Sequence, residues 1–149
     1  ENRKLFGADV TNFTSIIAKS KKVKMILKKY QKQFAKQKLV CIEGRDIGTV
    51  ICPNADIKFF FKCSLDVKAR RRLKDFRKWD KKITFREVKK ALKKRDLTDV
   101  RRKNSPLRLP LSAYIVDTSK LNKKQMLSKL SSIIDKKLLE KYGRNYKTK

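Results

Sequence analysis

Ile57-Lys58-Phe59-Phe60-Phe61-Lys62-Cys63-Ser64-Leu65-Asp66 is the stretch on which the fold turns. An apolar run broken only by Lys58 is the pattern of a strand covered on both faces, as in a parallel sheet. It runs into Ser64 and Asp66, which offer N-cap and first-turn chemistry for a helix through about Phe76. A strand that feeds a capped helix is the repeating unit of an α/β fold.

Upstream, residues 9–19 and 21–36 read as helices, the second with Val23, Ile26, Leu27, Tyr30 and Phe34 on one face. A short strand is expected at 39–43, followed by a glycine turn and then a second turn at Pro53-Asn54-Ala55-Asp56. Downstream, a polar hinge at Trp79 to Lys82 leads to Thr84-Phe85-Arg86-Glu87, a capping-box pattern that opens another helix. Ala113 to Val116 reads as a third strand, ended by Asp117. Asn122 and Gln125 cap a last amphipathic helix with Met126, Leu127, Leu130, Ile133, Ile134 and Leu138 on its apolar face, and residues 143–149 are a basic tail. Three strands separated by helices predict an α/β layered fold with a parallel, thin sheet.

With 149 residues the chain is one domain's worth, long enough to bury a core. No apolar run approaches the roughly 20 residues of a membrane helix, and the opening Glu-Asn-Arg-Lys has no apolar leader pattern. Cys41, Cys52 and Cys63 suit neither a zinc site nor a disulfide framework, so reduced thiols in a cytoplasm are expected. The formal net charge of +29 admits two readings: attraction to nucleic acid, or lysine enrichment over the whole surface. Lysines lie on every predicted helix and at both ends, without interleaved aromatics, which favours the second. Arginine is distributed differently. Twelve of the 43 basic residues are Arg, and nine of these lie between Arg70 and Arg108. A guanidinium kept where lysine is abundant suggests bidentate anion recognition in the middle of the chain.

Three constellations stand out. Gly44-Arg45-Asp46 with Gly48 follows the expected 39–43 strand, and ligands of parallel sheets bind beyond the carboxyl ends of strands. Such a turn is either an ordinary loop with a local ion pair or an anion site whose glycines permit positive φ and close approach. Arg95, Asp99 and Arg102 stand at i, i+4 and i+7, so one helix face would carry a carboxylate between two guanidiniums; a solvated, ion-paired face is the alternative. Arg70-Arg71-Arg72 fan around a helix, so that one or two of them can address a ligand. The chain has no histidine, which excludes Ser/His/Asp and Cys/His catalysis; Glu43, Asp46, Asp96, Asp99 and Asp117 remain as acids.

The run GRDIGTVICPNADIKFFFKCS, followed by ARRRL, KKRDLTDVRR, SPL and AYIVDTS, closely resembles bacterial cytidylate kinases over essentially the whole chain to about Leu138. The resemblance implies a P-loop, nucleoside-monophosphate-kinase-like three-layer α/β fold with a parallel sheet, N-terminally incomplete. It implies a single domain over 1–149, with a lid-like segment at roughly 72–92, acting as a cytoplasmic monomer without a membrane. It further implies transfer of the terminal phosphate of ATP to CMP or dCMP, with Mg²⁺. By the same resemblance Ser15 and Lys24 would meet the base and Arg45, with Asp46 beside it, the CMP phosphate. Arg95 and Asp99 would bind the ribose, Arg102 would help fix the nucleotide, and Arg71 would face the transferring phosphates. Departures from the pattern are Lys24 where Arg is usual, Glu43 for Asp, and Phe6 for Arg. No GxxxxGK[ST] phosphate loop occurs in these residues, so the chain on its own is expected not to turn over. The competing readings are a basic nucleic-acid-binding module, or a kinase of UMP or AMP.

Overall fold

The computed structural model describes residues 17, 20–37, 40–79 and 81–143. Apart from Ile17, the helix expected at 9–19 lies outside them, as does the tail beyond 143. Helix α1 spans Lys21–Phe34, two residues shorter than expected, and Ala35 caps it by donating its N–H to the Gln31 carbonyl at 2.9 Å. Ser20 opens it, its hydroxyl accepting from the Val23 N–H at 3.5 Å. The face bearing Ile26, Leu27, Tyr30 and Phe34 stays at least half exposed, and α1 packs against the turn that follows Asp46.

Residues 40–43 form no strand, contrary to expectation. A strand exists through its ladder, and this segment makes no ladder hydrogen bond with either described strand. The glycine turn is instead a π-helical turn, Ile47–Ile51. The Asp46 carbonyl opens it, accepting from the N–H groups of Thr49, Val50 and Ile51 at 3.4, 2.8 and 3.4 Å and from the Thr49 hydroxyl at 3.3 Å. Single π turns of this kind are frequent at functional sites. Neither Gly44 nor Gly48 adopts positive φ. What Gly48 supplies is close approach, since a Cβ there would stand 2.8 Å from Pro110 Cγ and 3.1 Å from Pro110 Cβ. A Cβ on Gly44 would meet only the Ile47 side chain, which can rotate aside. Gly48→Ala is therefore expected to cost about 1–3 kcal/mol, because a proline ring cannot swing away; urea unfolding that shows no loss would remove this role from Gly48.

Strands β1 (Phe59–Lys62) and β2 (Tyr114–Asp117) run parallel, with Phe59 opposite Tyr114 and Lys62 opposite Asp117. The Tyr114 N–H donates to the Lys58 carbonyl and the Thr118 N–H to the Lys62 carbonyl, both at 2.8 Å, which brackets the ladder. Val116 is fully buried, whereas Phe61 is 52% exposed and Tyr114 and Ile115 are also open. The two-sided cover expected of the Phe59–Phe61 run is therefore not present within the described residues. Phe59 instead finds its aromatic neighbours in Phe61 and Tyr114, at centroid distances of 6.2 and 6.0 Å.

Helix α2 (Leu65–Phe76) and helix α3 (Phe85–Arg101) form the connection between the strands and pack on each other. Each gives one fully packed residue, Ala69 and Val88. Ser64 caps α2 through the Val67 N–H at 3.4 Å, while its own N–H donates to the Ser119 hydroxyl at 2.9 Å, tying the helix start to the loop after β2. Asp66 leaves capping to Ser64 and pairs across to Lys89 of α3 at 2.6 Å.

The capping box of α3 is complete. Glu87 Oε2 accepts from the Thr84 N–H at 2.8 Å and from its hydroxyl at 2.6 Å, and the Thr84 hydroxyl accepts from the Glu87 N–H at 3.3 Å. The Thr84 hydroxyl, then its backbone N–H, hold the Glu87 carboxyl below its ordinary 4.5. A depressed folded pKa gives stability that is present above the unfolded value and lost as pH falls through the folded value. Acidification below about 4.5 is thus expected to fray α3, and Glu87→Gln, which retains a capping-box acceptor, should remove that part of the pH dependence. Identical acid profiles for the two proteins would contradict this.

Helix α4 (Lys123–Tyr142) is also opened by a capping box: Asn122 Oδ1 accepts from the Gln125 N–H at 2.9 Å and Gln125 Oε1 from the Asn122 N–H at 3.0 Å. Gly143 ends it with φ at 70° and ψ at −170°, a backbone conformation essentially confined to glycine. Near that end Lys141 pairs with Asp56 of the second turn. Leu127 and Leu139 of α4 remain open to solvent. The buried apolar residues among those described are four: Ile51, Ala69, Val88 and Val116. The core is small because the apolar faces of α1, α4 and the sheet find little cover within the described residues.

Candidate functional site

Because β1 and β2 are parallel, Cys63 and Thr118 leave the sheet at the same edge, where ligands of α/β proteins bind. Helix α2 starts at that edge and aims one of its three successive arginines back at it. Arg71 Nη1 donates to the Thr118 hydroxyl at 3.2 Å, and Nη2 to the carbonyls of Thr118 and Leu121 at 2.6 and 3.0 Å. Arg70 and Arg72 point to solvent, Arg72 lying 4.5 Å above the Phe76 ring. At the same edge Asp117 is held below its ordinary carboxylate range by Ser119, through its hydroxyl first and then its N–H, the latter at 2.8 Å from Oδ1.

The charged constellation lies one turn back from Arg71, toward the start of α2, and across to α3. Arg45, from the loop before the π turn, places Nη1 3.1 Å from Asp99 Oδ2 and 3.8 Å from Asp96 Oδ1. Asp96 Oδ2 accepts from Lys68 of α2 at 2.7 Å. Asp99 Oδ1 faces Arg102 Nη1 at 3.7 Å. Three cations thus enclose two carboxylates contributed by a single helix. Asp99 is the best shielded, its side chain 13% exposed, and its Oδ2 is sealed from solvent without a hydrogen bond among the described residues. Asp99 and Arg45 are therefore held together by charge, and a sealed carboxylate of this kind depends on its cations.

Local backbone chemistry fixes the third cation. Helix α3 ends at Arg101, and Arg102 is its C-cap with extended ψ, so the expected helical i+7 position becomes a cap. Ser105-Pro106-Leu107 then folds back. Ser105 takes positive φ, its carbonyl accepts from Arg102 Nε, and the Leu107 N–H donates to the Asp99 carbonyl at 2.8 Å. The SPL stretch thereby anchors Arg102 beside Asp99.

Of the residues singled out from the sequence, the structure gathers Arg45, Asp99 and Arg102 and places Arg71 at the strand ends. Arg95 is exposed on α3, where Asp96 takes the position facing α2. Asp46 contributes through its backbone carbonyl. Lys24 is half-buried on α1, and Ser15 lies outside the described residues. Lys68 was not foreseen: its pairing with Asp96 spans separate helices, which no local spacing encodes. Among the described residues no cluster of three or more acids or cysteines stands together as a metal site, and no helix is long and apolar enough to cross a membrane.

A parallel strand pair joined through helices, with guanidiniums and carboxylates gathered beside the helix that follows the first strand, makes an α/β protein of the nucleoside-monophosphate-kinase type. The cytidylate kinase family model matches residues 1–136. A cytidylate kinase of Caldanaerobacter subterraneus subsp. tengcongensis is 36% identical over 127 residues, covering 85% of this chain and 57% of the relative. One of Clostridium botulinum is 37% identical over 127 residues, covering 85% and 58%, and one of Clostridium tetani is 32% identical over 136 residues, covering 91% and 60%. The chain belongs to the cytidylate kinase family, and it spans less than two thirds of the length of these relatives.

Proposed function

We propose that the chain carries the acceptor-nucleotide side of a cytidylate kinase, holding CMP or dCMP to receive the terminal phosphate of ATP. The supporting observation is that Arg45, from the loop before the π turn, meets Asp99 and Arg102 at the end of α3 in one partly shielded charge cluster. Arg45 exchanges carboxylate contacts for the CMP phosphate, and its guanidinium fork suits two phosphate oxygens. Asp99 accepts from a ribose hydroxyl, Arg95 reaches the same sugar, and Arg102 holds Asp99 in place. Ser15 and Lys24 meet the base. Arg71, with Asp46 on the other side of the acceptor phosphate, faces the group in transit.

An oxygen of the CMP phosphate attacks the terminal phosphorus of ATP, and the bond to the bridging oxygen breaks to release ADP. Such a transfer needs positioning and charge neutralisation, with no side-chain nucleophile, which suits a chain without histidine. For Mg²⁺ the described residues offer no fitting donor set, since Asp96 and Asp99 already face cations.

Nucleotide-dependent thermal stability tests the reading. A ligand at about 100 times its Kd adds about 2.7 kcal/mol to the folded state, so CMP should raise the melting temperature more than equal UMP or AMP. Equal shifts from all three nucleotides, or none from CMP, would refute a cytidylate site.

A further inference from the structure

We propose that Lys68 is a positioning residue that keeps Arg45 available to an anionic ligand by occupying Asp96. The inference rests on the reading of Arg45 as the phosphate-binding cation. Asp96 stands between two cations and treats them unequally, with Lys68 Nζ at 2.7 Å from one oxygen and Arg45 Nη1 at 3.8 Å from the other. Arg45 in turn has one short carboxylate contact, Asp99 at 3.1 Å, and one long one. The division follows from the fold: Asp96 and Asp99 stand within one turn of each other on α3, so a guanidinium arriving at Asp99 is within reach of both.

Without the Lys68 charge, Asp96 would have Arg45 as its nearest cation in the cluster. Arg45 would then be drawn between two carboxylates, and a phosphate would have to displace both. With Lys68 in place the cluster holds three cations and two carboxylates, leaving an uncompensated positive charge for an incoming anion. Lys68 and Arg45 are each 37% exposed along their side chains, so Arg45 is open to a ligand while Lys68 stays on Asp96. Lys68 therefore acts through Asp96 on Arg45 and needs no contact with the nucleotide.

This role makes a distinctive demand. It concerns the phosphate of the ligand and not its nucleoside, and it disappears when Asp96 carries no charge. Calorimetric titration of the chain with CMP and with cytidine separates the two parts. Lys68→Met is expected to weaken CMP binding about tenfold, as for loss of one favourable charge at a partly shielded site, while leaving cytidine binding unchanged. Lys68→Arg should retain CMP affinity, and Lys68→Met combined with Asp96→Asn should recover it. Equal loss for CMP and cytidine, or failure of Asp96→Asn to restore CMP binding, would overturn the proposal, leaving Lys68 as a fold contact or a direct ligand. Arg45→Ala distinguishes the underlying reading: if it leaves CMP affinity unchanged, or if the parent chain binds CMP no better than cytidine, Arg45 is not the phosphate residue and the role of Lys68 falls with it.

Discussion

Asp99→Asn is expected to abolish tight CMP binding while destabilising the fold. The substitution keeps the shape and removes one charge from a side chain that is only 13% exposed and faces Arg45 at 3.1 Å and Arg102 at 3.7 Å. Removing one partner of a buried ion pair costs about 3–5 kcal/mol, because the remaining charge stays desolvated. Solvent reaches Arg45 and Arg102 in part, so the stability loss here should be about 1–3 kcal/mol. The ligand loses a charged acceptor for a ribose hydroxyl. Hydrogen bonds to charged groups are worth about 1.5–3 kcal/mol, which is roughly a 10- to 100-fold loss of affinity. Titration calorimetry with CMP and urea unfolding report the two effects separately. Unchanged CMP affinity would take Asp99 out of the site, and unchanged stability would mean the two guanidiniums find other compensation.

Val116→Asp should have the largest effect on folding. Val116 is the one large side chain among the described residues with no exposure, and it sits in β2 opposite Phe61, inside the ladder that ends at Thr118. No cation is shown beside it, so a carboxylate there would be buried without a partner or would have to protonate. Costs of this kind exceed about 4 kcal/mol, a large share of the 5–15 kcal/mol by which domains are stable. With only four buried apolar residues described, little else is available to compensate. Loss of the cooperative thermal transition is the expected outcome. Val116→Ala, costing about 1–3 kcal/mol, should keep that transition at lower temperature, and an undisturbed melt for Val116→Asp would show that the buried strand position does not hold the fold together.

The legible parts of the fold were those whose signals are local. Ser64, Thr84 with Glu87, and Asn122 with Gln125 each announced a helix start within four residues of sequence, and each caps as expected. The apolar runs around Phe60 and Ile115 marked the two strands, though neither run showed how much cover its faces would receive. The expected strand at 39–43 had apolar character but no way to announce a pairing edge, and the described part of it stays unpaired. Gly44 and Gly48 are two of only four glycines in the chain, yet the reason for Gly48 lies in Pro110, a residue of a distant loop that rests on it.

For the site, arginine surviving in a lysine-rich chain drew attention to Arg71, Arg95 and Arg102; the structure brings Arg102 into one charge cluster with Arg45 and sets Arg71 at the end of β2. Residue types and short-range spacing thus marked by themselves the described helices and the two strands and singled out the charged residues worth following, while the motif run from Gly44 to Ser119 carried the family resemblance. The tertiary structure alone decided which charges meet. It set Lys68 against Asp96 and Arg45 against Asp99, turned Arg71 onto the end of β2, and left Arg95 in solvent. The reason is physical: capping and strand propensity act between neighbours in sequence, whereas an ion pair depends on distance in space and on the water excluded around it, and both are fixed only when α2, α3 and the loop before the π turn come together.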